Sequence, residues 1–273
     1  MSAPVLRDGE SPDASLRGGV RELVVEGVTL TFGGITALDD VRFTVDPGTV
    51  HALIGPNGAG KSSCFNVISG LYKPTFGAVR FGEELITTRA AHQLAALGIG
   101  RSFQNIALSP GSTVLDNVML GRHALTGGGF LSAGLRLGVR TERRHVARVV
   151  EICDFLGIAD RLDDPVGVLP YGVAKRVDIA RALAVEPVLL LLDEPAAGLN
   201  MGETAEMAVT IADLRTALGI SVLLVEHDMG LVMGIADRVT VLDFGKVIAD
   251  GAPAQVQSDP EVIRAYLGTE VEE

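Results

Sequence analysis

Short aliphatic runs punctuate this chain. Val50-His51-Ala52-Leu53-Ile54, Val188-Leu189-Leu190-Leu191-Leu192 and Ile220-Ser221-Val222-Leu223-Leu224-Val225 are each followed at once by glycine or by acidic residues. Runs this apolar and this short predict strands of a parallel sheet covered on both faces. Toward the N-terminus the pattern changes. Leu23-Val24-Val25 and Val28-Thr29-Leu30-Thr31-Phe32 read as strand material. Val41-Arg42-Phe43-Thr44-Val45 alternates apolar with polar and is turned by Asp46-Pro47-Gly48, and Val79-Arg80-Phe81 runs into a Gly82-Glu83 turn. These segments predict an antiparallel β region beside the parallel core. From Ser112 to about Arg176 the signals are mostly helical, with a strong amphipathic run from Arg143 to Leu156 stopped by Gly157. That block, about 105–178, is expected to form a helical subdomain inserted into an α/β core. Within it, Gly127-Gly128-Gly129 and the residues to Gly138 read as a flexible apolar insertion to which no chemistry is assigned.

Composition narrows the class. Of 273 residues, 47% are hydrophobic but only 4% aromatic, an aliphatic bias that fits Val/Ile/Leu-rich parallel strands. The net charge of −11 argues against a general nucleic-acid binder, which needs a basic face. Two cysteines, Cys64 and Cys153, make neither a disulfide framework nor a metal spacing; they read as small buried apolar residues in a reducing cytosol. No run approaches the roughly 18 apolar residues of a membrane span. Residues 1–20 mix Ser, Pro, Asp, Arg and Gly and are expected to form a loose tail ahead of a single domain over 21–273.

The chemistry is carried by the octapeptide Gly55-Pro56-Asn57-Gly58-Ala59-Gly60-Lys61-Ser62, which fits the phosphate-loop pattern G-x-x-x-x-G-K-[ST]. A strand reading precedes it and a helix reading follows it, stopping near Gly70, as that pattern requires. Glycines let the backbone approach phosphate oxygens, and the helix N-terminus turns its N–H groups on the anion. Lys61 supplies a charge to the β- and γ-phosphates, and the Ser62 hydroxyl suits Mg²⁺. The alternative is a glycine-rich turn without a nucleotide. Downstream, Asp193-Glu194 ends an aliphatic strand, where open α/β sheets gather ligands. Asp193 is positioned to hold Mg²⁺, and Glu194 to polarise a water attacking the γ-phosphate; a solvated strand end is the alternative. His227 also falls at a strand end and, in that company, reads as a hydrogen-bonding γ-phosphate sensor rather than a structural histidine. Gln104, a loop amide by itself, is placed to contact Mg²⁺ or the attacking water.

The order of these features, with Leu169-Pro170-Tyr171-Gly172-Val173 and Gly198-Leu199-Asn200 between them, resembles the ATP-binding subunits of ABC transporters over roughly residues 22–268. Phe32-Gly33-Gly34, Ala196-Ala197-Gly198-Leu199-Asn200, Glu226-His227-Asp228-Met229 and Val262-Ile263-Arg264-Ala265-Tyr266-Leu267-Gly268 resemble the LivG-type ATPases of branched-chain amino-acid importers. Similar ATPases serve urea or amide uptake, so the solute stays open. The resemblance implies a P-loop NTPase fold of the ABC ATPase type: a RecA-like core, an antiparallel β region and a helical subdomain. It implies ATP and Mg²⁺ as cofactors. Two ATPase subunits would pair head to tail with ATP between them. Phe32, otherwise a core phenylalanine, would stack on adenine. Gly55, Pro56, Asn57, Gly58, Ala59, Gly60, Lys61, Ser62 and Ser63 would cradle the phosphates. Ser62, Gln104 and Asp193 would arrange Mg²⁺, Glu194 would be the base and His227 the switch. Tyr171 and Gly172 would serve the partner's nucleotide. The implied setting is the cytoplasmic face of the inner membrane, with separate permease subunits, a solute-binding protein acting indirectly, and no nucleic acid.

One departure matters. The family signature is Leu-Ser-Gly-Gly-Gln. Pro170 removes both the serine hydroxyl and a backbone N–H, and Val173 removes the amide. Tyr171 is common in the LivG type, and Gly172 and a helix expected to start near Ala174 still offer donors. The expected consequence is a heterodimer with unequal sites. The site built on Lys61 and Glu194 turns over, and the site completed by the Pro170 loop is slow or only binds. Sufficiency of the remaining donors is the alternative. Two other classes stay in view: a soluble ABC ATPase, which usually carries fused cassettes or a coiled-coil insertion, and a regulatory module without turnover, against which Glu194 argues.

Overall fold

The structure, a computed structural model, describes residues 21–102, 107–125 and 137–269. The expected N-terminal tail, Gln104 and most of the Gly127–Gly138 stretch lie outside the described residues. Strands β1 (Leu23–Phe32) and β2 (Ile35–Val45) form a long antiparallel hairpin around Gly33 and Gly34, both at positive φ. The two early strand segments are one strand. Its register shifts between Val25 and Val28, with Gly27 at φ 62°, which makes a bulge rather than a break. After β3 (Val50–Ile54) come the glycine loop and α1 (Lys61–Ile68), stopped by Ser69 and left-handed Gly70. Strands β4 (Phe76–Phe81) and β5 (Glu84–Leu85) complete a four-stranded antiparallel sheet.

Helix α2 (Ala91–Ala96) and strand β6 (Ile99–Arg101) lead into α3 (Val114–Arg122), α4 (Leu137–Phe155) and α5 (Tyr171–Leu183). Thr113 and Asp116 cap α3 reciprocally, side chain to backbone N–H in both directions. The amphipathic run on α4 buries Val149, Ile152 and Cys153, and Gly157 at φ 67° follows its end. Helices α3 and α5 cross closely at Gly121, where an added Cβ would lie 2.3 Å from the Arg181 carbonyl. The chain then returns through β7 (Leu189–Asp193), α6 (Met201–Thr216), β8 (Ser221–Val225), α7 (Met229–Ile235), β9 (Arg238–Asp243), β10 (Lys246–Gly251), α8 (Pro253–Gln257) and α9 (Pro260–Thr269).

The second sheet runs β10-β9-β3-β8-β7-β6 and is parallel except for β10. Its central strands are buried along their whole length, for a reason visible in their alternation. Leu190, Leu192, Val222 and Leu224 enter one core with residues of α3 to α6. Leu189, Leu191, Leu223 and Val225 enter a second core with Phe65 of α1 and Phe43 of the antiparallel sheet. Each buried leucine contributes about 2 kcal/mol, so two apolar faces hold the sheet between helices and the smaller sheet. Cys64 and Cys153 are part of this packing; burial pushes their thiols up to about 12 and about 11.

One buried residue departs from this apolar rule. His51 is fully buried against the Phe43 ring, and its Nε2 lies 2.8 Å from the Thr240 hydroxyl. Thr240 in turn donates to Asp250 at 3.1 Å, which makes His51 the donor at Nε2 and leaves Nδ1 an acceptor with no partner. Desolvation pulls the His51 pKa down to about 4, with Asp250 and Asp46 opposing the shift and Arg238 adding to it. The unfolded chain therefore takes up a proton near pH 6.5 that the fold refuses until about pH 4. The stabilisation is complete above pH 6.5 and falls by about 3 kcal/mol as pH drops to 4. Urea unfolding of wild type and His51→Gln across this range is expected to show a shallower pH dependence in the variant; parallel curves would exclude His51 as the source.

Candidate functional site

Strand pairing brings the candidate residues to one edge. Leu53 of β3 and Asp193 of β7 both sit opposite Val225 of β8 in parallel register. The turns after Ile54, Asp193 and Val225 thus leave the sheet side by side at its carboxyl end, where open α/β sheets bind ligands.

In the glycine loop, Gly55, Gly58 and Gly60 have φ of 148°, 79° and 101°. A Cβ on Gly55 would stand 2.1 Å from the Leu242 carbonyl, and one on Gly60 2.7 Å from the Ala37 carbonyl, so both conformation and space exclude side chains. Pro56 and Ala59 are buried, Asn57 and Ser62 exposed and Ser63 half-buried. Lys61 folds back over the loop, donating to the carbonyls of Gly55 at 2.6 Å and Pro56 at 2.8 Å. Desolvation lowers its pKa, and the Glu194 charge opposes that shift. The Gly55 N–H is engaged from the far end of the chain by the Tyr266 hydroxyl of α9, which no sequence signal announced. Phe32 is half-exposed and meets Tyr72 edge-on, with ring centroids 5.3 Å apart; Tyr72 was not foreseen.

At the end of β7, Asp193 is 4% exposed. Its Oδ2 lies 3.4 Å from Arg101, and its Oδ1 is buried with no hydrogen-bond partner. Burial raises the Asp193 pKa, Arg101 lowers it, and the neighbouring Glu194 charge raises it further. Glu194 adopts a left-handed backbone, φ 49°, which costs a non-glycine residue about 1–2 kcal/mol. It is pinned there: its N–H donates to the Val225 carbonyl at 2.9 Å and its carbonyl accepts from Lys175 at 2.8 Å. The Glu194 carboxylate then meets His227 Nε2 at 2.9 Å. The two residues singled out separately in the sequence are one hydrogen-bonded pair.

Three supporting residues escaped the sequence reading because nothing local marks them. Glu226 is buried and accepts N–H bonds from Ala196 at 2.7 Å and His227 at 3.0 Å, clamping the turn after β7 to the turn after β8. Burial raises its pKa and these backbone donors oppose the rise. Lys175 reaches Glu194 from α5, and desolvation lowers its pKa, opposed by Asp178, Glu226, Glu194 and Asp193. Arg101 joins β6 to Asp193.

The helix after Leu169-Pro170 begins at Tyr171 rather than near Ala174. Its first backbone bond, Ala174 N–H to the Pro170 carbonyl, closes only at Ala174, and the free first-turn N–H groups tolerate tyrosine and glycine there. Pro170 is its N-cap and makes no side-chain cap bond. Tyr171 is half-exposed; its ring faces Gly198 and lies 5.7 Å from the Lys175 ammonium. A Cβ on Gly172 would be 2.8 Å from Glu203 of α6.

These close approaches grade the loop glycines. Gly58→Ala, with open space around its Cβ, is expected to cost about 1–2 kcal/mol from backbone strain alone. Gly55→Ala adds a backbone collision and is expected to lower stability well beyond that. Urea midpoints of the two variants in one buffer check the order, and equal losses would contradict it.

The chain has relatives among known proteins. The "ABC transporter" family model matches residues 38–197, and the "Branched-chain amino acid ATP-binding cassette transporter" model matches residues 246–272. The high-affinity branched-chain amino acid transport ATP-binding protein BraF of Pseudomonas aeruginosa is 39% identical over 90% of this chain and 97% of its own length. LivG of Escherichia coli K12, described in the same words, is 38% identical with the same coverage. A solved ADP conformation of an ABC transporter ATP-binding cassette superposes with a TM-score of 0.80 at 33% identity, covering 92% of this chain and all of that one. A dimeric structure of a bacterial ABC transporter cassette gives 0.72 at 28%, covering 85% and 98%. The chain belongs to the ATP-binding cassettes of ABC transporters, a family whose activity is ATP hydrolysis.

Proposed function

We propose that this chain is the ATP-hydrolysing subunit of an importer for branched-chain amino acids. The Glu194–His227 pair, held beside a buried Asp193 at the mouth of the phosphate loop, carries the catalytic reading. The names of its relatives favour the solute class. In this reading residues 55–63 cradle the phosphates and the exposed Phe32 ring takes adenine. Ser62, Gln104 and Asp193 arrange Mg²⁺. Among the described residues no group of three or more His, Cys, Asp and Glu side chains forms a metal cage. The orphaned Oδ1 of Asp193 and the Ser62 hydroxyl suit a cation that takes its other ligands from phosphate and water. Bound with the nucleotide, Mg²⁺ supplies neutralisation of the β- and γ-phosphate oxygens.

The residues of the chain do the rest by position and charge. Lys61 exchanges its two loop carbonyls for phosphate oxygens. Glu194 accepts a proton from the water attacking in line, and its left-handed backbone aims the carboxylate without rearrangement. His227 holds that carboxylate and reports the γ-phosphate. Tyr171 and Gly172 lie at the start of α5, against Gly198 and Glu203, and serve a nucleotide held by a second cassette in a head-to-tail dimer. Closure on ATP and reopening after hydrolysis is then a population shift driven by contacts present in one state. We assign residues 105–178 to a helical subdomain whose junction with the core meets membrane permease subunits. A solute-binding protein acts indirectly, at the opposite side of the membrane. Among the described residues no helix is long and apolar enough to cross a membrane. The cassette sits peripherally on the cytoplasmic face of the inner membrane. The absent serine at Pro170 favours a heterodimer in which the site on Lys61 and Glu194 turns over and the site completed by this chain's Pro170 loop is slow.

Purified with a partner cassette bearing an intact signature, the protein is expected to hydrolyse ATP, and Glu194→Gln to lower kcat by about 100-fold or more while ATP binding persists. Undiminished turnover in Glu194→Gln would remove the base assignment. Restoring the hydroxyl with Pro170→Ser is expected to raise activity of the slow site. Equal turnover at both sites before the change would contradict the asymmetry.

A further inference from the structure

We propose that Arg101 is a positioning residue for the metal-bearing carboxylate, holding Asp193 by Oδ2 so that Oδ1 stays available to the nucleotide-borne cation. The inference rests on the reading of Asp193 as an arm for Mg²⁺. Arg101 ends β6, one strand from β7, and its side chain is largely buried. The guanidinium is held on several sides. One amino group donates to Asn66 Oδ1 at 2.9 Å and approaches Asp193 Oδ2 at 3.4 Å; the other donates to the Ser69 hydroxyl; and the plane lies 4.9 Å from the Phe65 ring centroid. Asn66 and Phe65 belong to α1, which grows directly out of the phosphate loop, and Ser69 is its C-cap. The anchored planar fork presents one amino group to the carboxylate, a placement that an ammonium on a flexible stem does not keep. The charges also require each other, since either one buried alone would be costly. The same side chain walls a cleft of about 320 Å³, shared with Leu94, Leu120, Arg181 and Leu191, so one group faces both that cleft and the Asp193 carboxylate.

A brace for the fold and a guide for Asp193 make different demands on the metal. ATP binding is titrated calorimetrically in the Glu194→Gln background, first in EDTA and then against rising Mg²⁺. Mn²⁺ replaces Mg²⁺ for a parallel spectroscopic reading of the bound ion. Arg101→Met is expected to leave metal-free ATP affinity within about twofold and to raise the half-saturating Mg²⁺ concentration about tenfold, the loss typical of a group that orients a metal ligand. Arg101→Lys, which keeps the charge without the fork, is expected to fall between. An unchanged Mg²⁺ dependence, or an equal loss of metal-free and Mg²⁺-supported binding, overturns the inference. Absence of any Mg²⁺ effect in the background protein instead removes the reading of Asp193 and the inference with it. Should Arg101→Met fail to fold, Asn66→Ala and Ser69→Ala release the guanidinium from its other anchors. They are expected to shift the Mg²⁺ requirement the same way by about two- to threefold, and no shift in either overturns the inference.

Discussion

The arrangement of the candidate site depends on the parallel pairing of β8 between β3 and β7. Leu53 and Asp193 face the same residue, Val225, from opposite sides. Slipping either strand by one residue would turn every leucine to the wrong core, because the side-chain period is two and the two faces pack against different partners. The hydrophobic pattern thus locks the register. The register in turn delivers the phosphate loop, the Asp193-Glu194 pair and the Glu226-His227 turn to one edge. The geometry of the candidate site follows from two-sided burial.

What the sheet delivers, a layer of buried charge then orients. Asp193, Glu226, Lys61 and Lys175 are each almost fully removed from solvent, and Arg101 largely so, within the same few turns. Each would be costly alone. Together they compensate: Arg101 faces Asp193, Lys61 and Lys175 bond carbonyls close to carboxylates, and Glu226 spends both oxygens on backbone N–H groups. The left-handed Glu194 is the strained member, and the bonds from Lys175 and to Val225 hold it there. Such strain persists only where the surroundings over-determine it.

Helix α5, which packs on one face of the sheet, takes part in this arrangement. Lys175 extends from α5 to the backbone of Glu194, and the start of the same helix packs against Gly198 and Glu203. One lysine therefore ties the position of α5 to the backbone of Glu194. At the other end of the chain, α9 touches the phosphate loop through Tyr266 and Gly55. Two segments remote in sequence thus each contact one of the turns at the carboxyl end of the sheet.

Much of this was legible beforehand. The glycine loop, the aliphatic strands and the acids at strand ends were readable as local structure because their requirements are local: glycines where φ is positive, apolar residues where both faces are covered, acids where a strand emerges. The amphipathic run of α4 and its glycine stop were readable for the same reason. The start of α5 was misread by three residues, because a first helical turn has no ladder bonds to leave a periodic trace. Arg101, Lys175, Glu226, Tyr72 and Tyr266 were invisible. Each acts on a residue distant in sequence or through its own backbone neighbours, and an arginine at a strand end looks the same whether it faces water or Asp193. Local conformational preference is written in the order of the residues. Which buried charge meets which partner is set only when distant strands and helices close on one another, since a desolvated group takes its counter-charge from whatever the packing brings within reach.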